Sequence, residues 1–234
     1  DPAPGQAAWL PGARGLRDAL SVKGPELPQR LRHDIHTTME GMSPEATTFP
    51  PGAHRKVIIA GTGRCGTTFL QQVAQHIDLS NSRNEYPIHV YGVSEWNRWP
   101  GPVIKSPYFT VYGAAHASLF RCVSGVILPI RDSAVKVCTR RNQRPPLKPH
   151  MLGLEMSEEE FQDYVVGRFL RNALAAGVPV LTLSFPNFLR DPRDRTRIRD
   201  FLQTHIDWQT APASGNELLL LDSAWDAIYE DREH

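Results

Sequence analysis

Gly61, Gly63 and Gly66 fall between an apolar run, Val57 to Ala60, and a stretch that opens with Thr67 and Thr68, with Arg64 and Cys65 inside the turn. Glycines at this density let successive backbone N–H groups converge on one point. The threonine hydroxyls and the Arg64 guanidinium are further donors in the same stretch. Such a set is suited to capture a phosphate or sulfate oxygen. A helix beginning at Thr67 would turn the positive end of its dipole on the same spot. The stretch is therefore an anion cradle before it is anything more specific.

Two nucleotide motifs compete for these residues. Gly61 and Gly66 have the spacing of the triphosphate loop G-x-x-x-x-G-K-[ST], but Thr67 stands where the lysine belongs. Nothing in the loop then supplies the charge that reaches terminal phosphates, which disfavours an ATP or GTP hydrolase. The same letters spell the dinucleotide fingerprint G-x-G-x-x-G, and Glu85 lies nineteen residues after Gly66, near the place of a ribose-binding acid. That fold needs an apolar strand running up to the acid, whereas Asp78 to Asn84 reads as a loop.

The elements that must position the cradle follow from periodicity. Val57 to Ala60 reads as a buried parallel strand, and from Thr67 the apolar residues Phe69, Leu70, Val73, Ala74 and Ile77 share a helical face. A short strand ends at Lys105, a helix over 109–120 would turn Val111, Ala114, Ala115, Ser118 and Leu119 inward, and Gly125 to Ile130 gives the central strand. Ser157 and Glu160 form a capping box for a helix that runs to about Ala176, with Phe161, Tyr164, Val165, Phe169 and Leu170 inward and Gly177 as its stop. Val178 to Phe185 is the last strand, followed by a helix over 193–205 with Ile198, Phe201 and Leu202 inside and its arginines on a solvated face. A short acidic helix is expected near Trp225 to Glu230. Strand, loop, helix and strand in this alternation make a single α/β domain with a parallel sheet over 56–234, preceded by a proline- and glycine-rich arm over 1–55.

With 41% hydrophobic residues in 234, the chain can bury an ordinary core. A net charge of +1 gives no support to bulk nucleic-acid binding, so anion recognition must be local. Three scattered cysteines suit neither a disulfide framework nor a zinc site, and His33 with His36 has no further ligand beside it. With no membrane-length apolar run and no signal-peptide pattern at Asp1, the expected location is cytoplasmic.

Arg64-Cys65-Gly66-Thr67-Thr68-Phe69-Leu70 resembles the R-[SG]-G-T-T-x-L loop of the sulfotransferases, which bind the donor 3′-phosphoadenosine 5′-phosphosulfate. In that family the basic residue precedes the Gly-Thr-Thr, so the missing lysine becomes an expected feature. The resemblance implies a three-layer sheet of P-loop type and a donor loop made by Gly63, Arg64, Cys65, Gly66, Thr67, Thr68 and Phe69. Lys105-Ser-Pro-Tyr is similar to the family's K-[SD]-P-F element, whose lysine contacts the transferring group. Arg131-Asp-Ser-Ala-Val-Lys-Val-Cys-Thr139 resembles R-[DN]-P-x-x-x-x-x-S, which makes Arg131 and Thr139 the 3′-phosphate contacts. Phe185 to Pro192 resembles Y-E-D-L-x-x-[DH]-P, with Phe185 at the tyrosine that lies near adenine. Tyrosylprotein sulfotransferases have a glutamate base nineteen residues after the last loop glycine, a position that Glu85 fills here. The histidine base of the cytosolic members is replaced by Pro107, which strengthens Glu85; Glu95, His89 and His116 are its alternates. Their C-terminal R-K-G-x-x-G segment is absent. The implied reaction moves a sulfonate to an acceptor hydroxyl on a sugar, a lipid, a peptide tyrosine or a small molecule, with no metal. A kinase of similar fold, using ATP and magnesium, and a silent nucleotide-binding protein are the competing classes.

Overall fold

The computed structural model describes residues 54–62, 64–80, 99, 101–131, 157–209, 211 and 214–233. The arm expected over 1–55 lies outside these residues, apart from His54 and Arg55.

Four parallel strands form the sheet: β1 (Lys56–Ile59), β2 (Val103–Lys105), β3 (Val123–Ile130) and β4 (Val180–Ser184), in the order β2-β1-β3-β4. Continuous β-branched runs suit strands buried on both faces, and β1 is buried at every residue. Side chains alternate across it. Val57 and Ile59 point into one apolar layer with α1 (Thr67–His76), α4 (Pro192–His205) and α5 (Leu221–Glu233), while Ile58 and Ala60 point into the other with α2 (Phe109–Ala115) and α3 (Glu158–Ala175). Helices thus cover both faces of the sheet.

The connection from β1 to β2 passes over the first face in one direction along the sheet. Those from β2 to β3 and from β3 to β4 pass over the second face in the opposite direction. Face and direction reverse together, so all three crossovers have one hand, as strand twist requires. They diverge between β1 and β3, and such a divergence opens a crevice at the carboxyl ends of the strands.

The capping box forms as expected: Ser157 Oγ accepts from the Glu160 amide at 3.2 Å, and the Glu160 carboxylate accepts from the Ser157 amide at 2.9 Å. Gly177, at φ 68, ends α3 in the left-handed conformation.

Three expectations change. The helix over 109–120 breaks at His116, which is extended (φ −125, ψ 98), and a 3₁₀ turn over Ala117–Cys122 follows. Of the residues expected inward, Ala114 and Leu119 are buried, Val111 and Ala115 are half-buried and Ser118 is exposed, while Phe109, Thr110 and Gly113 are buried instead, because the break lets Phe120 stack against Phe109 and Phe169 at 5.5 and 5.1 Å. The arginines of α4 do not form a simple solvated face: Arg195 pairs with Asp226 and Arg199 with Asp222, both at 2.6 Å, which fastens α4 to α5. The C-terminal helix is longer than expected, and its Trp225 is fully buried against Phe69 at 4.7 Å.

Candidate anion and nucleotide site

β1 delivers the chain to the carboxyl end of the sheet, where Ala60 N–H still bonds Ile127 O at 3.0 Å. The loop then leaves the ladder: Gly61 N–H donates to Thr110 Oγ1 at 2.7 Å. Arg64 is exposed and left-handed at φ 55, and Gly66, at φ 92, is the N-cap of α1. No side chain caps that helix, and no acidic residue occupies its first turn. The positive end of its dipole therefore faces the loop with no carboxylate beside it, a setting that would favour an external anion.

The loop is packed from behind. Cys65 is fully buried, and a Cβ on Gly61 would lie 2.6 Å from Cys65 Sγ and 2.9 Å from Thr67 Cγ2. A Cβ on Gly66 would lie 2.7 Å from the Phe188 ring and 2.8 Å from that of Phe185. Phe69 is buried between Phe188 and Trp225. Cys65 and Phe69 can therefore offer a ligand only their main chain, since both side chains belong to the core. Thr67 is largely buried as well, whereas Thr68 is exposed.

Two cations from other strands close on this loop. Lys105, at the end of β2, is 5% exposed, and its Nζ donates to Thr68 Oγ1 at 3.0 Å. Burying an ammonium is costly unless its protons are satisfied, so its bonds fix where its charge lies, beside the first turn of α1. Arg131, just past β3, donates through Nη1 to Arg64 O at 3.3 Å, and its Cζ stands 5.2 Å over the Phe185 ring. Phe185 is held in turn by its N–H bond to Ile130 O at 2.7 Å and by the Phe188 ring at 6.0 Å. Arg64, Thr68, Lys105, Arg131 and Phe185 thus meet at one end of the sheet. The arrangement is suited to bind an anion through amides and two cations, with a planar group near the arginine and the phenyl ring.

Gly63, Glu85 and Thr139, with the alternates His89 and Glu95, lie outside the described residues. His116 lies on the path from the carboxyl end of the sheet to its amino end. It follows α2, which leaves the carboxyl end after Lys105, and by Val123 the chain pairs with Lys56 at the amino end of β1. Among the described residues, no group of three or more His, Cys, Asp or Glu is placed to hold a metal, and no helix is long and apolar enough to cross a membrane.

Thr110, Phe188 and Trp225 support the site and escaped sequence reasoning. The Phe185-x-x-Phe188 spacing was a usable signal for Phe188. A single threonine in a short helix of mixed residues and a tryptophan in an acidic tail carried none. Comparison with protein-family models, with curated proteins and with solved structures gave no match.

Proposed function

We propose that the chain is a sulfotransferase that moves a sulfonate from 3′-phosphoadenosine 5′-phosphosulfate to an acceptor hydroxyl. The observation that carries this reading is the meeting of Lys105 with Thr68 and of Arg131 with Arg64 at the N-terminal end of α1, across 37 and 67 residues of sequence. Each residue of that set was expected there by its resemblance to a donor-binding motif. The position of the loop on an interior strand, between β2 and β3, also suits the P-loop type of topology.

In this reading the amides at the start of α1, with Thr68 and Lys105, hold the 5′-phosphosulfate. Arg131 and Thr139 take the 3′-phosphate, and Phe185 offers a face to the adenine. The acceptor oxygen attacks sulfur while Glu85 removes its proton. The bond from sulfur to the bridging oxygen breaks, and its electron pair leaves on the 5′-phosphate of adenosine 3′,5′-bisphosphate. Negative charge grows on that bridging oxygen, so a lysine fixed beside it stabilises the transition state more than the ground state.

The test is ligand-induced thermal stabilisation by adenosine 3′,5′-bisphosphate, set against ATP with magnesium and against NAD, in the wild type and in Arg131→Ala. A ligand that binds only the native state raises the midpoint by mass action. The expected result is a shift with the bisphosphate that Arg131→Ala abolishes. A shift with ATP and magnesium alone would replace this reading with a kinase.

A further inference from the structure

Three hydrogen bonds tie the turn after β2 to the loop after β1. Ser106 N–H donates to Ile59 O at 3.0 Å, Lys105 Nζ to Thr68 Oγ1 at 3.0 Å, and Gly61 N–H to Thr110 Oγ1 at 2.7 Å. The first is an ordinary continuation of the parallel ladder, and the second is made by a residue already assigned to the site. The third is different. Thr110 is fully buried in the first turn of α2, on the face of the sheet opposite α1, and it contacts the loop from behind.

Gly61 is the first residue whose N–H has left the ladder, because the preceding amide, Ala60, still bonds Ile127 O. A buried amide without a partner is strongly disfavoured, so the Thr110 hydroxyl decides where the loop departs from the sheet. A Cβ at Gly61 would clash with Cys65 Sγ and Thr67 Cγ2, so the same point also fixes how the loop folds back to start α1. Thr110 itself is anchored by its N–H bond to Pro107 O at 3.1 Å, within the turn that begins at Lys105.

We infer that Thr110 is a positioning residue: its hydroxyl locks the anion loop and the Lys105 turn into one body, so that the lysine and the first amides of α1 face the same ligand atoms. Its functional consequence rests on the donor-site reading above; its structural content does not. A hydroxyl is required and a β-branched shape is not enough, which separates this role from simple core packing.

The experiment compares the full chain as wild type, Thr110→Val, Thr110→Ser and Thr110→Ala. Amide hydrogen exchange without ligand is followed over peptides covering 57–70, with α3 and α4 as internal references. Thr110→Val and Thr110→Ala are expected to raise exchange in the loop peptide by on the order of tenfold or more, the effect of losing one buried bond, while Thr110→Ser stays near wild type. Exchange that is unchanged in Thr110→Val, or that rises equally in the reference helices, overturns the inference. Failure of both hydroxyl-free variants to fold beside a native Thr110→Ser also overturns it, by assigning Thr110 to global stability. Calorimetric titration with adenosine 3′,5′-bisphosphate is the second arm. Affinity about tenfold lower in Thr110→Val, recovered in Thr110→Ser, extends the role to donor binding. Affinity in Thr110→Val equal to wild type overturns that extension. No binding by the wild type sinks the sulfotransferase reading, and the exchange result still decides Thr110.

Discussion

Lys105 and Gly66 represent the two kinds of demand that the site makes on single residues. Lys105 reaches the loop from a buried strand end, so Lys105→Met keeps most of the apolar stem and removes the ammonium, with its charge and its hydrogen bond to Thr68 Oγ1. If the chain is the proposed sulfotransferase, the expected effect is a loss of transfer rate of about 10²–10³, the usual cost of removing one electrostatic contact to a developing anion, with bisphosphate affinity changed far less. Release of adenosine 3′,5′-bisphosphate from the donor, across a panel of phenolic and sugar acceptors, would measure it; an equal loss in binding and rate would assign the lysine to ground-state affinity instead. Gly66 is constrained by conformation and by space. At φ 92, with Phe185 and Phe188 within 2.8 Å of an added Cβ, Gly66→Ala combines a left-handed backbone penalty of about 1–2 kcal/mol with overpacking of about 1–3 kcal/mol. Urea unfolding should show a fall of that combined size. A change under about 0.5 kcal/mol would mean that the loop adapts without strain.

Among the elements, α1 is held from two sides, and only one was legible in the sequence. The apolar run of β1, the glycine loop and the helical period of α1 announced themselves because each is a local pattern. Phe69, Leu70, Val73, Ala74 and Ile77 are all buried as that period requires. The second support, α5, was legible as a short acidic helix near Trp225 to Glu230 but not as a packed element: its buried face is reduced to Leu221, Ala224 and Trp225, set among acids that face α4 arginines from another part of the chain. Helix α2 was misread for a related reason, since a continuous period fits 109–120 but the packing of Phe120 prevails over it. Trp225 tests whether α5 serves the site. It contacts Phe69 and Phe188, donates from Nε1 to Leu189 O at 3.2 Å, and lies under the Arg195 guanidinium at 5.4 Å. Trp225→Ala should cost about 3–5 kcal/mol, the range for truncating a buried aromatic side chain. Because Phe69 follows Thr68 directly, the bisphosphate affinity that the proposed function requires should fall along with stability, whereas Leu219→Ala, at an exposed site on the preceding turn, should change neither. Equal effects of the two variants on affinity would separate α5 from the site.

Across the whole molecule the sheet keeps two cationic regions apart and treats them differently. At its carboxyl end, Lys105 and Arg131 face a place where an anion would be held. At its amino end Lys56 is also buried, at 7% exposure, but its Nζ donates to Trp99 O at 2.5 Å and Gly101 O at 2.8 Å. Those are carbonyls, not carboxylates, and burial brings the Lys56 pKa down from 10.5 to about 8. The unfolded chain then binds more protons than the folded one between these values, so the contribution of Lys56 to stability is smallest below pH 8, rises as pH increases, and is complete above 10.5. Cys122 works in the opposite sense at higher pH: burial raises its thiol from 9.0 to about 12, so stability that is whole below 9 is lost as pH climbs through 12. The window from pH 7 to 9 therefore isolates the lysine. Over it the wild type should gain about 1 kcal/mol relative to Lys56→Met, measured as the difference between their urea unfolding free energies at each pH. A difference that stays flat over that window would mean that the two carbonyls stabilise the ammonium enough to cancel its desolvation. Lys56 would then be a fully charged structural pin at the end of the sheet away from the loop.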